Sequence, residues 1–128
     1  MENTYRPVIL IVDDQPELIS VMSMYFRHFG YQHYTAGSAK EALDVLSSEK
    51  INLVICDLVM PQMGGLELLK KVREFNSEAP HFIFCSGLCD VPFSSPYPEG
   101  VLGFIQKPFS MMDLMDKVAV HLKELATT

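Results

Sequence analysis

The sequence predicts an α/β protein: a five-stranded parallel sheet, doubly wound, with helices on both faces. Three observations carry that expectation. Apolar runs too short to be helices recur along the chain, at Val8–Val12, Leu53–Cys56, Phe82–Cys85 and Phe104–Ile105. Segments with helical spacing of apolar residues separate them. A polar group closes each run, namely Asp13-Asp14, Asp57, Ser86 and Lys107-Pro108. Parallel strands bring such closures to one edge of the sheet, the edge at which doubly wound proteins bind ligands.

The elements follow in order. After the first run, Leu18, Val21, Met22, Tyr25, Phe26 and Phe29 share one helical face, and Gly30 stops that helix. Asp14, with Glu17 three residues on, also reads as an N-cap and its box partner. A short strand at His33–Ala36 leads to Ser38, which with Glu41 repeats the capping-box pattern. Leu43 and Leu46 of the second helix face the sheet. Pro61 and Gly64-Gly65 make a loop after the third strand, and Leu66, Leu69 and Val72 open a helix that ends near Asn76. The last helix starts at Ser110 and carries Met111, Leu114, Met115, Val118, Leu122 and Leu125 on one face, with Lys123 near its negative end. Alternating strands and helices imply right-handed crossovers. Strand order 2-1-3-4-5, one of the two common orders for such sheets, is the one expected.

At 128 residues and 48% apolar, the chain is expected to form a single domain over 1–128 with a continuous core. The net charge of −6 and the lack of a basic stripe argue against direct nucleic-acid binding. No apolar run approaches the roughly 20 residues of a membrane helix, and Met1 to Arg6 carry no signal core, so a cytoplasmic location without membrane insertion is expected. Cys56, Cys85 and Cys89 read as reduced thiols. Even with His81 nearby they lack the four ligands and the spacing of a zinc site.

Three carboxylates gathered at one edge repel by roughly 4 kcal/mol per pair at 4 Å and an effective dielectric near 20. A hard divalent cation offsets this best, and an all-oxygen site with room for water suits Mg²⁺. Lys107 offers a mobile positive charge and Ser86 a hydroxyl donor. Two acids for a metal, a third free as a nucleophile, and a cation with a hydroxyl for an incoming anion together suit phosphoryl transfer. Each residue alone has a plainer reading: Asp57 as a loop starter, Ser86 as a turn residue, Lys107 as a surface charge, Phe104 as core. Their joint occurrence at successive strand ends is what favours chemistry.

The motifs Val12-Asp13-Asp14, Asp57-Leu58-Val59-Met60-Pro61-Gln62-Met63 with Gly65, Cys85-Ser86-Gly87 and Phe104-Ile105-Gln106-Lys107-Pro108-Phe109 resemble those of response-regulator receiver domains of two-component signalling, over Val8 to Leu125. The resemblance implies a flavodoxin-like fold. It implies that Asp57 accepts a phosphoryl group from a histidine kinase or a histidine phosphotransfer protein. Asp14, Asp57 and the Val59 carbonyl would bind Mg²⁺ directly, with Asp13 acting through water. Lys107, Ser86 and the N–H groups of Val59 and Gly87 would hold the phosphoryl oxygens. Ser86 and Phe104 would form the switch, and the bond before Pro108 would be cis. Such a domain catalyses its own phosphorylation and dephosphorylation but is not a metabolic enzyme. Its partners would be the phosphodonor, a downstream protein or attached output domain, and, as a candidate, a second copy of the chain.

Departures from the family pattern carry their own expectations. Pro92, Pro96 and Pro98 fall where the family has its fourth helix, so a short or irregular segment is expected over Leu88 to Gly100. Gly64 stands where an acid is frequent, and Gly87 where alanine is usual. Val59 and Leu88 offer no group to orient water, so loss of the phosphoryl group should be slow. Two other classes compete. One is an interaction module on the same fold that works without phosphorylation. The other is a flavin site or a dehalogenase-like phosphatase, opposed by the adjacent acids Asp13 and Asp14.

Overall fold

The computed structural model describes residues 5–76, 78–87 and 97–127. Five strands, β1 (Val8–Val12), β2 (Gln32–Ala36), β3 (Leu53–Asp57), β4 (His81–Ser86) and β5 (Val101–Gln106), form one sheet. All neighbours are parallel and the order is β2-β1-β3-β4-β5, as the sequence predicts. Four helices are present among the described residues: α1 (Pro16–His28), α2 (Ala39–Ser48), α3 (Gly65–Phe75) and α4 (Met111–Ala126).

Alternation along each strand sends successive side chains to opposite faces. Leu10, Val12, Val54, Cys56, Phe82 and Phe84 pack with Ala42, Leu46, Leu68 and Val72 of α2 and α3. Ile9, Ile11, Leu53, Ile55, Ile83 and Cys85 pack with Met22, Phe26, Leu114 and Val118 of α1 and α4. Strands covered on both faces read as continuous apolar runs, which is why β1, β3 and β4 are so legible. Each fully buried aliphatic or aromatic side chain contributes about 1.5–3 kcal/mol.

Helix ends follow local chemistry, with one correction. Ser38 and Ser110 cap α2 and α4, their hydroxyls accepting the N–H groups of Glu41 at 3.1 Å and Asp113 at 3.0 Å. Gly30, at φ 82°, closes α1 in the left-handed region that glycine tolerates. Asp14 does not cap α1. The N-cap is Gln15, without a side-chain bond, and Pro16 begins the helix where an N–H is dispensable. The neighbouring acid takes over instead, Asp13 Oδ1 accepting the Gln15 N–H at 2.9 Å.

Strand β5 begins earlier than its Phe104–Ile105 signal. A turn closed by the Val101 N–H donating to the Pro98 carbonyl at 3.0 Å, with Gly100 at φ 90°, feeds the chain into it. Arg73 of α3 braces that turn through an ion pair with Glu99 at 2.9 Å. Most of the stretch expected to be irregular, 88–96, lies outside the described residues, as do Cys89, Leu88, Pro92 and Pro96; 97–100 are non-helical.

Candidate functional site

Backbone bonds between neighbouring strand ends draw the polar closures together. The Asp13 N–H donates to the Ala36 carbonyl at 3.2 Å, that of Leu58 to Cys85 at 2.8 Å and that of Lys107 to Ser86 at 2.7 Å. Among the described residues, Asp13, Asp57 and Ser86 are the buried polar ones, at 2%, 7% and 2% exposure. The Lys107-Pro108 peptide is cis, as expected.

Carboxylate oxygens of Asp13, Asp14 and Asp57 all lie within 4.8 Å of one another. Lys107 bridges two of them, its Nζ standing 2.9 Å from Asp13 Oδ2 and 3.4 Å from Asp57 Oδ2. Asp14 is exposed, so the trio grades from a buried, paired acid to one open to solvent. A cleft of about 320 Å³ opens above them, lined by Asp14, Gln15, Asp57, Val59, Gly87 and Lys107. A larger cavity of about 860 Å³, lined by residues that include Leu46, Asn52 and His81, opens elsewhere and includes none of the three acids.

The β3–α3 connection is built for close approach. The Gly65 N–H donates to the Leu58 carbonyl at 3.0 Å, so the loop returns to the strand end and leaves Val59 60% exposed. A Cβ on Gly65 would meet the Asp57 carbonyl oxygen and the Phe84 ring, both at 2.7 Å, so only glycine lets α3 start there.

Electrostatics tell the same story of excess negative charge. Burial raises the Asp57 pKa above the ordinary carboxylate value and Asp13 adds to it, while Lys107 and the Val59 N–H only partly oppose. Burial alone would lower Lys107, yet the Asp13 and Asp57 carboxylates together outweigh it and hold the ammonium charged. An all-oxygen donor set with more acid than its one lysine offsets fits a hard divalent cation. Burial pushes the Cys85 thiol up to about 12 and Cys56 well above its usual value, so both are inert near neutrality.

Of the residues singled out in the sequence, Asp14, Asp57, Val59, Gly87 and Lys107 meet in the cleft, with Asp13 bonded to Lys107 and Ser86 at the adjoining end of β4. Phe104 does not line it. Its half-buried ring packs on Phe84 at 5.9 Å and on Tyr97 at 5.4 Å between centroids. Gln15 and the steric demand at Gly65 escaped the sequence reading. Gln15 could have been found from its place directly after the acid pair.

A parallel sheet of this order with an acidic cleft at the C-terminal ends of its strands defines the class, a receiver-type doubly wound fold. The response regulator receiver domain model matches residues 9–119, and the chain belongs to that family. It is 33% identical over 116 residues to the transcriptional regulatory protein YvrH of Bacillus subtilis (strain 168), covering 90% of this chain and 48% of that protein. It is 34% identical over 131 residues to a probable cyclic di-GMP phosphodiesterase of Vibrio cholerae, covering 96% of this chain and 28% of that one. A CheY-like receiver domain protein from Methanospirillum hungatei superposes with TM-score 0.81 at 29% identity, covering 94% of this chain and 96% of that one. The chain thus spans 48% or less of these two longer relatives. Receiver domains act as phosphoacceptors in signal transduction and work with histidine kinases and output domains. No helix among the described residues is long and apolar enough to cross a membrane.

Proposed function

We propose that this chain is a Mg²⁺-dependent phosphoacceptor whose nucleophile is Asp57. The observation that carries the reading is the three-acid cluster within 4.8 Å, bridged by Lys107 at 2.9 and 3.4 Å. Asp14, Asp57 and the Val59 carbonyl would hold the cation, with Asp13 supporting it through water. When bound, a divalent cation neutralises the acids and the incoming phosphoryl oxygens.

The chain's own residues do the rest. The Asp57 carboxylate, kept short of hydration, attacks the phosphorus of a phosphohistidine donor. The P–N bond breaks, the nitrogen keeps the bonding pair, and an acyl phosphate forms on Asp57. Lys107 exchanges carboxylate contacts for the phosphoryl oxygens, Ser86 donates its hydroxyl, and the N–H groups of Val59 and Gly87 complete the cradle. Inward movement of Ser86 vacates space that the Phe104 ring fills, which changes the surface around β5. A downstream protein, an attached output domain or a second copy of the chain reads that surface. Hydrolysis of the acyl phosphate resets it.

The chemistry is tested by exposing the chain to a radiolabelled phosphodonor with Mg²⁺ and treating the product with neutral hydroxylamine. An acyl phosphate loses its label to hydroxylamine. Label that survives hydroxylamine, as a phosphoserine would, overturns the assignment to a carboxylate.

A further inference from the structure

The cleft contains a polar side chain that the phosphoacceptor reading leaves without work. Asp14 and Asp57 line it as acids, Val59 as an apolar side chain and Gly87 with none, while Lys107 is shared between Asp13 and Asp57. Gln15 is the remaining lining residue, exposed, and its carboxamide makes no hydrogen bond among the described residues. Its backbone is fixed at both polar groups. The N–H donates to Asp13 Oδ1 at 2.9 Å, and the carbonyl accepts the Ile19 N–H at 3.1 Å. The next residue is Pro16, which restricts the Gln15 backbone further. A fixed Cα beside Asp13 with a free side chain is a short, well-anchored arm.

Position adds a second argument. Gln15 and Lys107 also line an adjoining groove of about 420 Å³ with Leu18, Pro108 and Phe109. These two side chains therefore stand on the boundary between the groove and the acidic cleft. A phosphoryl group entering from the groove would pass between them, meeting a cation on one side and a carboxamide on the other.

Resting on the phosphoacceptor reading, we propose that Gln15 is a further catalytic residue of the transfer, its carboxamide N–H donating to a phosphoryl oxygen as the group moves onto Asp57. The carboxamide carries no charge, so it adds a donor without disturbing the metal-binding acids. It takes no proton and forms no bond to phosphorus. With phosphoramidate as donor, the P–N bond breaks as the Asp57 Oδ–P bond forms, and the protonated nitrogen leaves as ammonia with the bonding pair.

The test compares wild type with Gln15→Leu, Gln15→Asn and Gln15→Glu, following mass gain with time in phosphoramidate and Mg²⁺. Loss of one donor to a charged oxygen slows Gln15→Leu by roughly tenfold. Gln15→Asn, which keeps a shorter carboxamide, falls between, and Gln15→Glu is slowest because a third lining carboxylate repels the donor. Mg²⁺ affinity, by titration, and the melting temperature stay at wild-type values in the leucine variant, since the side chain is exposed and binds neither acid. A leucine variant as fast as wild type overturns the role of Gln15 and leaves the phosphoacceptor reading standing. A slow variant with weakened Mg²⁺ binding also overturns it, moving the effect to the metal. A wild-type chain that gains no mass defeats the phosphoacceptor reading and this inference with it.

Discussion

Replacing Asp57 with asparagine should stabilise the metal-free protein, and the geometry sets the sign. Oxygens of Asp13 and Asp57 within 4.8 Å repel by about 3.5 kcal/mol at an effective dielectric near 20. Lys107, 3.4 Å from Asp57, returns about 5 kcal/mol on the same scale. The surplus attraction of about 1.5 kcal/mol is opposed by Asp14, whose carboxylate lies within the same 4.8 Å, so lost hydration decides, and it is the leading cause of the raised Asp57 pKa. A carboxyl whose folded pKa lies above its unfolded value binds its proton more tightly when folded. Its contribution to stability is therefore fullest below the unfolded pKa and declines as pH rises to the folded one, leaving a penalty at neutrality. Asparagine carries no charge, and its Oδ1 still accepts from Lys107. The expected gain at pH 7 is on the order of 1 kcal/mol, or about 3–5 °C in melting temperature. Urea denaturation followed by circular dichroism in EDTA, from pH 4 to 8, measures it, with the gap closing towards acid. Added Mg²⁺ stabilises wild type more than the variant, because ligand bound only by the folded state adds stability. An asparagine variant less stable than wild type in EDTA at pH 7 would show instead that the Lys107 pairing outweighs the lost hydration of Asp57.

Three further outcomes follow from the same contacts. Lys107→Met leaves the buried Asp13 carboxylate without its 2.9 Å partner and should cost about 1–3 kcal/mol in EDTA, partly recovered by Mg²⁺ in the same urea assay. Gly65→Ala forces a Cβ to within 2.7 Å of the Asp57 carbonyl oxygen and should cost about 1–3 kcal/mol, whereas Gly87→Ala, with nothing within 4 Å among the described residues, should be neutral or slightly stabilising; parallel melts separate them. Val59, 60% exposed beside the acids, carries no group to orient water, so Val59→Asn combined with Leu88→Ser should speed loss of the phosphoryl group in a decay assay, and unchanged decay would remove the idea.

Much of the fold was legible because its strands are covered on both faces and end in chemistry. The runs before Asp13, Asp57 and Ser86 are apolar without alternation, and their polar closures mark strand ends directly. Strand β5 was read short because the residues before Phe104 include Gly103, where Lys117 of α4 reaches within 3.4 Å of a would-be Cβ, a packing partner from another element. The capping of α1 was misread for a related reason. Asp13 and Asp14 are adjacent acids, and only the three-dimensional bond from the Gln15 N–H to Asp13 decides which serves the helix. The pairing of Asp13 with Lys107, 94 residues apart, was expected only as a gathering of strand ends; its 2.9 Å contact is a tertiary fact. The constraint at Gly65 depends on the Phe84 ring of another strand and left no local signal.

Phosphorylation of Asp57 is read by intact mass after incubation with acetyl phosphate, with and without Mg²⁺, for wild type and Asp57→Asn. Wild type should gain one phosphoryl group in Mg²⁺ and none in EDTA, and the variant should gain none under either condition. Equal gain by the variant, or no gain by folded wild-type protein that demonstrably binds Mg²⁺, would contradict phosphorylation at Asp57.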